Sequence, residues 1–268
     1  MNKKNKKFWT SYPMTYVDFK KPIKERLPKK KKDFIEINRS IIRGNPDFLK
    51  IIKKYKKNIK NKIVLDLGCG MGSSSIILSK IAKKIFSIDL TEIAVKHAKK
   101  NFILNKIKNV QITVMDAEKM KFKKNFFDFV FSWGVIHHSQ NPNKIFKNIF
   151  RVLKNDGSGF MMVYNFYSFR YLVLSTYYLF IRGYYFRGLN YTTVTKKFTD
   201  GYYNKHYRKK NVIKVLNDIG FKNIKVYYGH YKGRILPLIK SHNSFIGKFL
   251  SSKFGYFLYV YFEKDKCL

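Results

Sequence analysis

The sequence predicts an α/β fold: a seven-stranded, mostly parallel sheet with helices on both faces, a helical extension before it, and an aromatic-rich insertion after the fifth strand. Three observations predict it. From residue 62 onward, short apolar runs alternate with stretches of helical periodicity, and such alternation builds a parallel sheet covered on both faces. The first three strands each end at an aspartate, Asp66, Asp89 and Asp116. Gly68, Gly70 and Gly72 stand at alternate positions in the turn after the first of them.

Residues 1–60 are basic and aromatic and form the extension that packs on the core; 61–268 form the main domain. In "PDFLKIIKKYKKNI", Phe48, Ile51, Ile52 and Tyr55 fall on one helix face, with Pro46 in the first turn. "KIVLDLG" (62–68) is a buried strand and "SSSIILSKIAKK" a helix. "IFSIDL" (85–90) is the second strand. Thr91 then caps a helix whose face carries Ile93, Ala94, His97, Ala98 and Phe102. "VQITVMD" (110–116) and "FFDFVFSW" (126–133) are strands three and four. The next helix has Asn141 as N-cap, Pro142 at its first position and Gly157 past its end. "SGFMMVYN" (158–165) is strand five. Residues 166–207 break the alternation and form the insertion, a lid over the substrate. A helix (209–220) and two strands (222–229 and 254–264) complete the domain.

Composition narrows the class. The 2 cysteines, Cys69 and Cys267, make neither a disulfide framework nor a zinc pattern, so a reducing compartment is expected. The basic start "MNKKNKKFWTSYP" lacks a following apolar segment, and "YLVLSTYYLFI" (171–181) is too short to span a bilayer. A cytoplasmic protein is expected, one able to rest on a membrane surface. The formal charge of +40 points to nucleic acid, anionic lipid or an acidic substrate. It is also what an AT-biased genome yields: the excess is mostly Lys, Ala is scarce, and clusters such as Lys3–Lys7, Lys29–Lys32 and Lys53–Lys57 are spread along the chain.

The chemistry lies in "VLDLGCGMGSSS" (64–75). Glycines serve where backbone turns sharply beside a ligand, and the following helix start offers free N–H groups. A dinucleotide fingerprint needs Gly at position 73, where this chain has Ser73. The spacing G-x-G-x-G, with an acid two before it, resembles motif I of class I S-adenosylmethionine-dependent methyltransferases. The segment "FDFVFSWGVIHHSQNPNKIFKNIFRVLKNDG" resembles motif IV of their small-molecule, type 11-like bacterial branch. The likeness covers almost the whole chain and is strongest in the first half.

That resemblance implies a Rossmann-like sheet, S-adenosyl-L-methionine as cofactor, and no metal. It implies that Asp66, Gly68, Cys69, Gly70 and Gly72 form the cofactor turn. Asp89, with Leu90, meets the ribose. Asp116 accepts from the adenine amine, and the Ala117 amide meets a ring nitrogen. Ser132 and Trp133 meet the cofactor's methionine end. His137 and His138 lie at the rim shared with substrate. Adjacent residues chelate one ion poorly, so they are turn residues or one is a general base, His138 before His137.

The slot after strand four reads "SWGV", without the prolines of base-amino methyltransferases, and both cysteines lie elsewhere. Both absences count against nucleobase targets. The expected partner is a small molecule: a lipid or quinone-like compound, a glycan or a secondary-metabolite intermediate. The alternative is an RNA-binding or RNA-modifying protein driven by the basic surface.

Overall fold

The computed structural model describes residues 3–14, 27–230 and 245–265; Cys267 lies outside them. The strands are β1 (Ile63–Leu67), β2 (Lys84–Asp89), β3 (Val110–Val114), β4 (Phe127–Trp133), β5 (Leu153–Asn165), β6 (His206–Tyr207), β7 (Phe221–Gly229) and β8 (Phe257–Lys264). They form one sheet in the order β3-β2-β1-β4-β5-β8-β7, with β6 beside β5. The first five pair in parallel, whereas β8 runs antiparallel to both β5 and β7. The sheet has eight strands rather than seven. The extra one, β6, spans two residues inside the insertion, too short for a period-2 pattern to announce it.

Period-2 alternation sorts the sheet's side chains between two cores. On β4, β5 and β8, Val130, Met161, Val163, Leu258 and Val260 join one cluster. Their neighbours Phe129, Phe131, Phe160, Met162, Tyr259 and Tyr261 join the other. Each side chain so buried contributes about 1.5–3 kcal/mol. The first cluster is covered by α7 (Pro142–Val152) and α10 (Lys209–Ile219). The second is covered from the extension: α2 (Lys31–Gly44), α3 (Phe48–Lys54) and α4 (Lys56–Ile59) follow α1 (Lys3–Ser11). The other helices are α5 (Ser73–Ser79), α6 (Glu92–Leu104), α8 (Phe169–Thr176), α9 (Tyr191–Lys197) and α11 (Phe245–Phe254).

Phe48, Ile51, Ile52 and Tyr55 are buried together, as their spacing requires. The helix nevertheless breaks at Tyr55, which leaves helical geometry at φ −99°, ψ 19°. It begins after Asp47, so Pro46 stands outside it. Thr91 and Asn141 cap α6 and α7 through their side chains as expected. Gly157 does not end α7. The helix stops at Val152, and Leu153 already pairs with Phe127. The register then shifts between Phe127 and Phe129, and Asp156 takes up the irregularity at φ +65°. Among the described residues, no helix is long and apolar enough to cross a membrane.

The chain winds outward from β1 through β2 to β3, then resumes at β4 on the other side of β1. The carboxyl ends of β1 and β4 therefore flank a topological switch point, where α/β sheets leave a crevice.

Candidate active site

A cavity of about 520 Å³ occupies that crevice. The turn after β1 forms its floor. Gly68 N and Cys69 N both donate to Ile88 O, at 2.8 and 3.0 Å, tying the turn to β2. Gly68 has φ +74°, and a Cβ there would stand 2.2 Å from Val135 Cγ2 and 2.9 Å from its Cβ. The turn after β4 thus packs directly on the turn after β1, and only glycine permits it. Gly68→Ala is expected to cost about 2–4 kcal/mol of stability by strain and overpacking. Pairing it with Val135→Ala should recover part of that loss, and urea denaturation of the single and double variants checks both.

Two side chains that carry no motif hold the turn. Asn101, fully buried on α6, donates to Met71 O at 2.9 Å and to Asn38 Oδ1 at 2.9 Å. Ser73 Oγ donates to the same Asn38 oxygen at 2.7 Å. The extension is therefore bonded to the turn that floors the cavity.

Gly68, Cys69, Gly70, Asp89, Leu90, Asp116, Ala117, Trp133 and His138 all line the cavity. Asp66, Gly72, Ser132 and His137 do not. Asp66 is 1% exposed, and its Oδ2 accepts from Ser74 Oγ and Ser75 Oγ, both at 2.6 Å. It braces the start of α5 against β1 instead of facing a ligand. Burial pushes its carboxyl up to about 6, against the pull of the two hydroxyls. Gly72 is the left-handed residue that starts α5 and lies against Phe102. Ser132 is buried in β4.

Asp89 accepts from Gly70 N on Oδ2 at 3.0 Å and from Thr91 N and Oγ1 on Oδ1, both at 3.0 Å. Burial raises its pKa, and these bonds oppose the rise. The Leu90 amide also lowers it, so the carboxylate gathers backbone donors from both turns while lining the cavity. Asp116 caps a one-turn 3₁₀ helix (Ala117–Lys119), with Oδ1 accepting from Glu118 N at 2.9 Å. It lies two residues beyond β3, not at its last residue.

Trp133 is locked from two sides. Its Nε1 donates to Asn45 Oδ1 at 3.2 Å, and its ring meets Phe48 edge to face at 4.8 Å. The two histidines divide. His137 is fully buried, its ring 3.9 Å from that of Tyr164. Burial drives its pKa well down, and His138 and His206 add to the effect. His138 reaches the cavity, and burial holds its pKa down at about 4. Its Nδ1 bonds the Tyr203 carbonyl at 2.9 Å. The carbonyl can only accept, so Nδ1 carries the proton and Nε2 keeps the lone pair.

Several cavity residues were given no site role by the sequence. From α1 come Asn5 and Trp9, followed by Pro13 and Met14. Asn5 Nδ2 donates to His138 O at 2.8 Å, and Trp9 meets the His138 ring edge to face at 5.0 Å. Lys6 pairs with Glu92 at 2.9 Å at the surface. Among the described residues, the amino-terminal helix thus contributes to the cover of the cavity. The expected lid, residues 166–207, supplies Asp200 to the lining and otherwise backs His138 through Tyr203. Helical periodicity in a nine-residue basic segment says nothing of which distant site it covers.

Residues 58–166 match a family model described as a methyltransferase domain. The chain is 29% identical over 122 residues to phosphoethanolamine N-methyltransferase 2 of Caenorhabditis elegans, covering 45% of this chain and 28% of that one. It is 34% identical over 84 residues to an uncharacterized RNA methyltransferase of Bacillus cereus, covering 30% of this chain and 18% of the other. The chain thus spans under a third of the length of these relatives. The crystal structure of a SAM dependent methyltransferase from Aquifex aeolicus superposes with a TM-score of 0.52 at 17% identity, over 88% of this chain and 99% of that one. The eight-stranded sheet is the Rossmann-like sheet of such enzymes.

Proposed function

We propose, from a chain whose residues 58–166 form a methyltransferase domain on a class I fold, that the protein is an S-adenosylmethionine-dependent methyltransferase acting on a small molecule. The observation that carries this reading is the convergence of three neighbouring strand ends on one cavity, with the Gly68–Gly70 turn, Asp89 and Asp116 all in its wall. The donor set fits the cofactor, a cation with a free amino group. Asp89 and Asp116 are acids in the lining. Asn5 Oδ1 is a buried acceptor with no partner among the described residues, on a side chain that also lines the cavity.

When bound, S-adenosylmethionine supplies a methyl group on a positively charged, already electrophilic sulfur. The residues of this chain have the remaining tasks. Asp89 holds a ribose hydroxyl, while Asp116 and the Ala117 amide hold the base. Trp133 and His138 border the acceptor side. Their task is to align an O, N or C nucleophile with the methyl, since proximity supplies much of the rate. His138 Nε2 is open to a proton where the nucleophile must lose one.

A second reading, an RNA-modifying enzyme, draws on the charge of +40 and on the likeness to RNA methyltransferases. Calorimetry of S-adenosylmethionine with the full chain tests the shared part. Saturable binding with micromolar affinity is expected, and no binding would sink both readings. Methyl-labelled cofactor with fractionated extract separates them. Label in small molecules is expected, and label confined to RNA would replace the first reading by the second.

A further inference from the structure

We propose that residues 177–187 form a docking surface for an anionic lipid bilayer. This segment continues α8 as a single π-helical turn (Tyr177–Ile181) and ends in a 3₁₀ turn (Tyr185–Arg187). It places four large apolar side chains in solvent: Phe180 is 60% exposed, Ile181 74%, Tyr185 60% and Phe186 86%. They are not scattered. The Phe180 and Tyr185 rings stack at 6.0 Å, and Tyr185 meets Phe186 edge to face at 5.8 Å. Isolated exposed apolar residues are ordinary, but a contiguous group marks an interaction site.

The patch is mounted on ordered structure. Tyr178 packs against Tyr184 at 5.5 Å and Phe198 at 4.7 Å. Ser175 and Thr195 share a buried hydrogen bond of 2.9 Å between α8 and α9. Tyr171 on α8 is fully buried. The outward aromatics are therefore held outward and do not belong to an unfinished core.

Charge selects the occupant. From Gly157 to Thr199 the chain contains no Asp or Glu, while Arg182 and Arg187 lie within the patch. Lys197 Nζ sits 4.8 Å over the Tyr184 ring and the Arg187 guanidinium 5.4 Å over the same ring. Apolar side chains at the tip with cations beside them match a headgroup layer above acyl chains. A second copy of the chain would set these cations against their own likeness. Single-stranded RNA would stack on the rings, but Ile181 has no ring face to offer a base.

Co-sedimentation of the full chain with vesicles tests the proposal, using phosphatidylcholine alone and phosphatidylcholine with about 30% phosphatidylglycerol at about 0.15 M salt. A chain this basic adheres to any anionic surface, so the decisive variant keeps the charge: Phe180→Ser, Ile181→Ser and Phe186→Ser together. Binding to the mixed vesicles should fall at least about tenfold, with an unchanged circular dichroism spectrum. A Phe186→Trp variant should shift its emission to the blue on the same vesicles. Equal binding of wild type and the triple variant would overturn the proposal and leave only diffuse charge attraction. Loss of poly(U) binding in the triple variant with vesicle binding intact would overturn it in favour of RNA. Loss of a dimer in sedimentation, again with vesicle binding intact, would overturn it in favour of a second copy.

Discussion

Asp89→Ala will weaken S-adenosylmethionine binding at least about 100-fold, measured by calorimetry against wild type. The loss has two sources. The ribose loses its acceptor, and a charge-assisted hydrogen bond contributes about 1.5–3 kcal/mol. The cavity floor also loses its brace, because the same carboxylate receives Gly70 N, Thr91 N and Thr91 Oγ1. Asp89→Asn separates the two. Its amide oxygen can still accept from one side, but its NH₂ group faces donors on the other. It should bind more tightly than the alanine variant and well below wild type. Asp89→Ala binding within threefold of wild type would remove Asp89 from the cofactor site.

Acidification will destabilise the fold, by an amount on the order of 2–3 kcal/mol between about pH 7 and about pH 5. Three histidines, His137, His138 and His206, surround the Tyr164 ring, at 3.9, 5.5 and 5.5 Å. Burial lowers the pKa of all three, to about 4 for His138 and for His206. The unfolded chain thus binds more protons than the folded one below the ordinary histidine pKa of 6.5. The stability they contribute is complete above that value and is lost as pH falls toward 4. Asp66 and Asp89 act in the opposite sense. Burial raises both, Asp66 to about 6, so the folded state gains a proton first as pH falls. Three groups outweigh two; Asp128, held down by Lys154 and the Ile63 amide despite its burial, adds a further loss only below its ordinary value of 3.8, outside this range. Urea midpoints across this range measure the slope. His206→Phe, which removes one imidazole and keeps a ring on Tyr164, should flatten it. A midpoint independent of pH would refute the account.

The legible parts of the site were those in which one short stretch determines its own geometry. Gly68, Gly70 and Gly72 announced a turn because left-handed backbone needs glycine, and all three take positive φ. Asp89 and Asp116 follow strands whose apolar runs place them at one sheet edge, and both reach the cavity. Asp66 follows the same logic but lies behind the cavity wall. A strand points neighbouring side chains to opposite faces, and at Asp66 that face holds Ser74 and Ser75. His137 and His138 likewise read as a pair, but one 3₁₀ turn sends the first into the core and the second to the cavity.

By itself the sequence determined the alternation of strands and helices, the glycine turn, the two acids at the sheet edge and the caps at Thr91 and Asn141. Each depends on backbone sterics and apolar periodicity within about a dozen residues. Only the tertiary structure decided that Asn5 and Trp9 cover the cavity, that Asp200 enters its wall, and that Asn101 pins the turn. It also decided that Tyr171 of the insertion is buried while Phe180, Tyr185 and Phe186 face solvent. These depend on contacts across 30 to 133 positions of chain. No local propensity encodes a contact between segments so far apart. Burial and the pairing of buried polar groups select it once the sheet has formed.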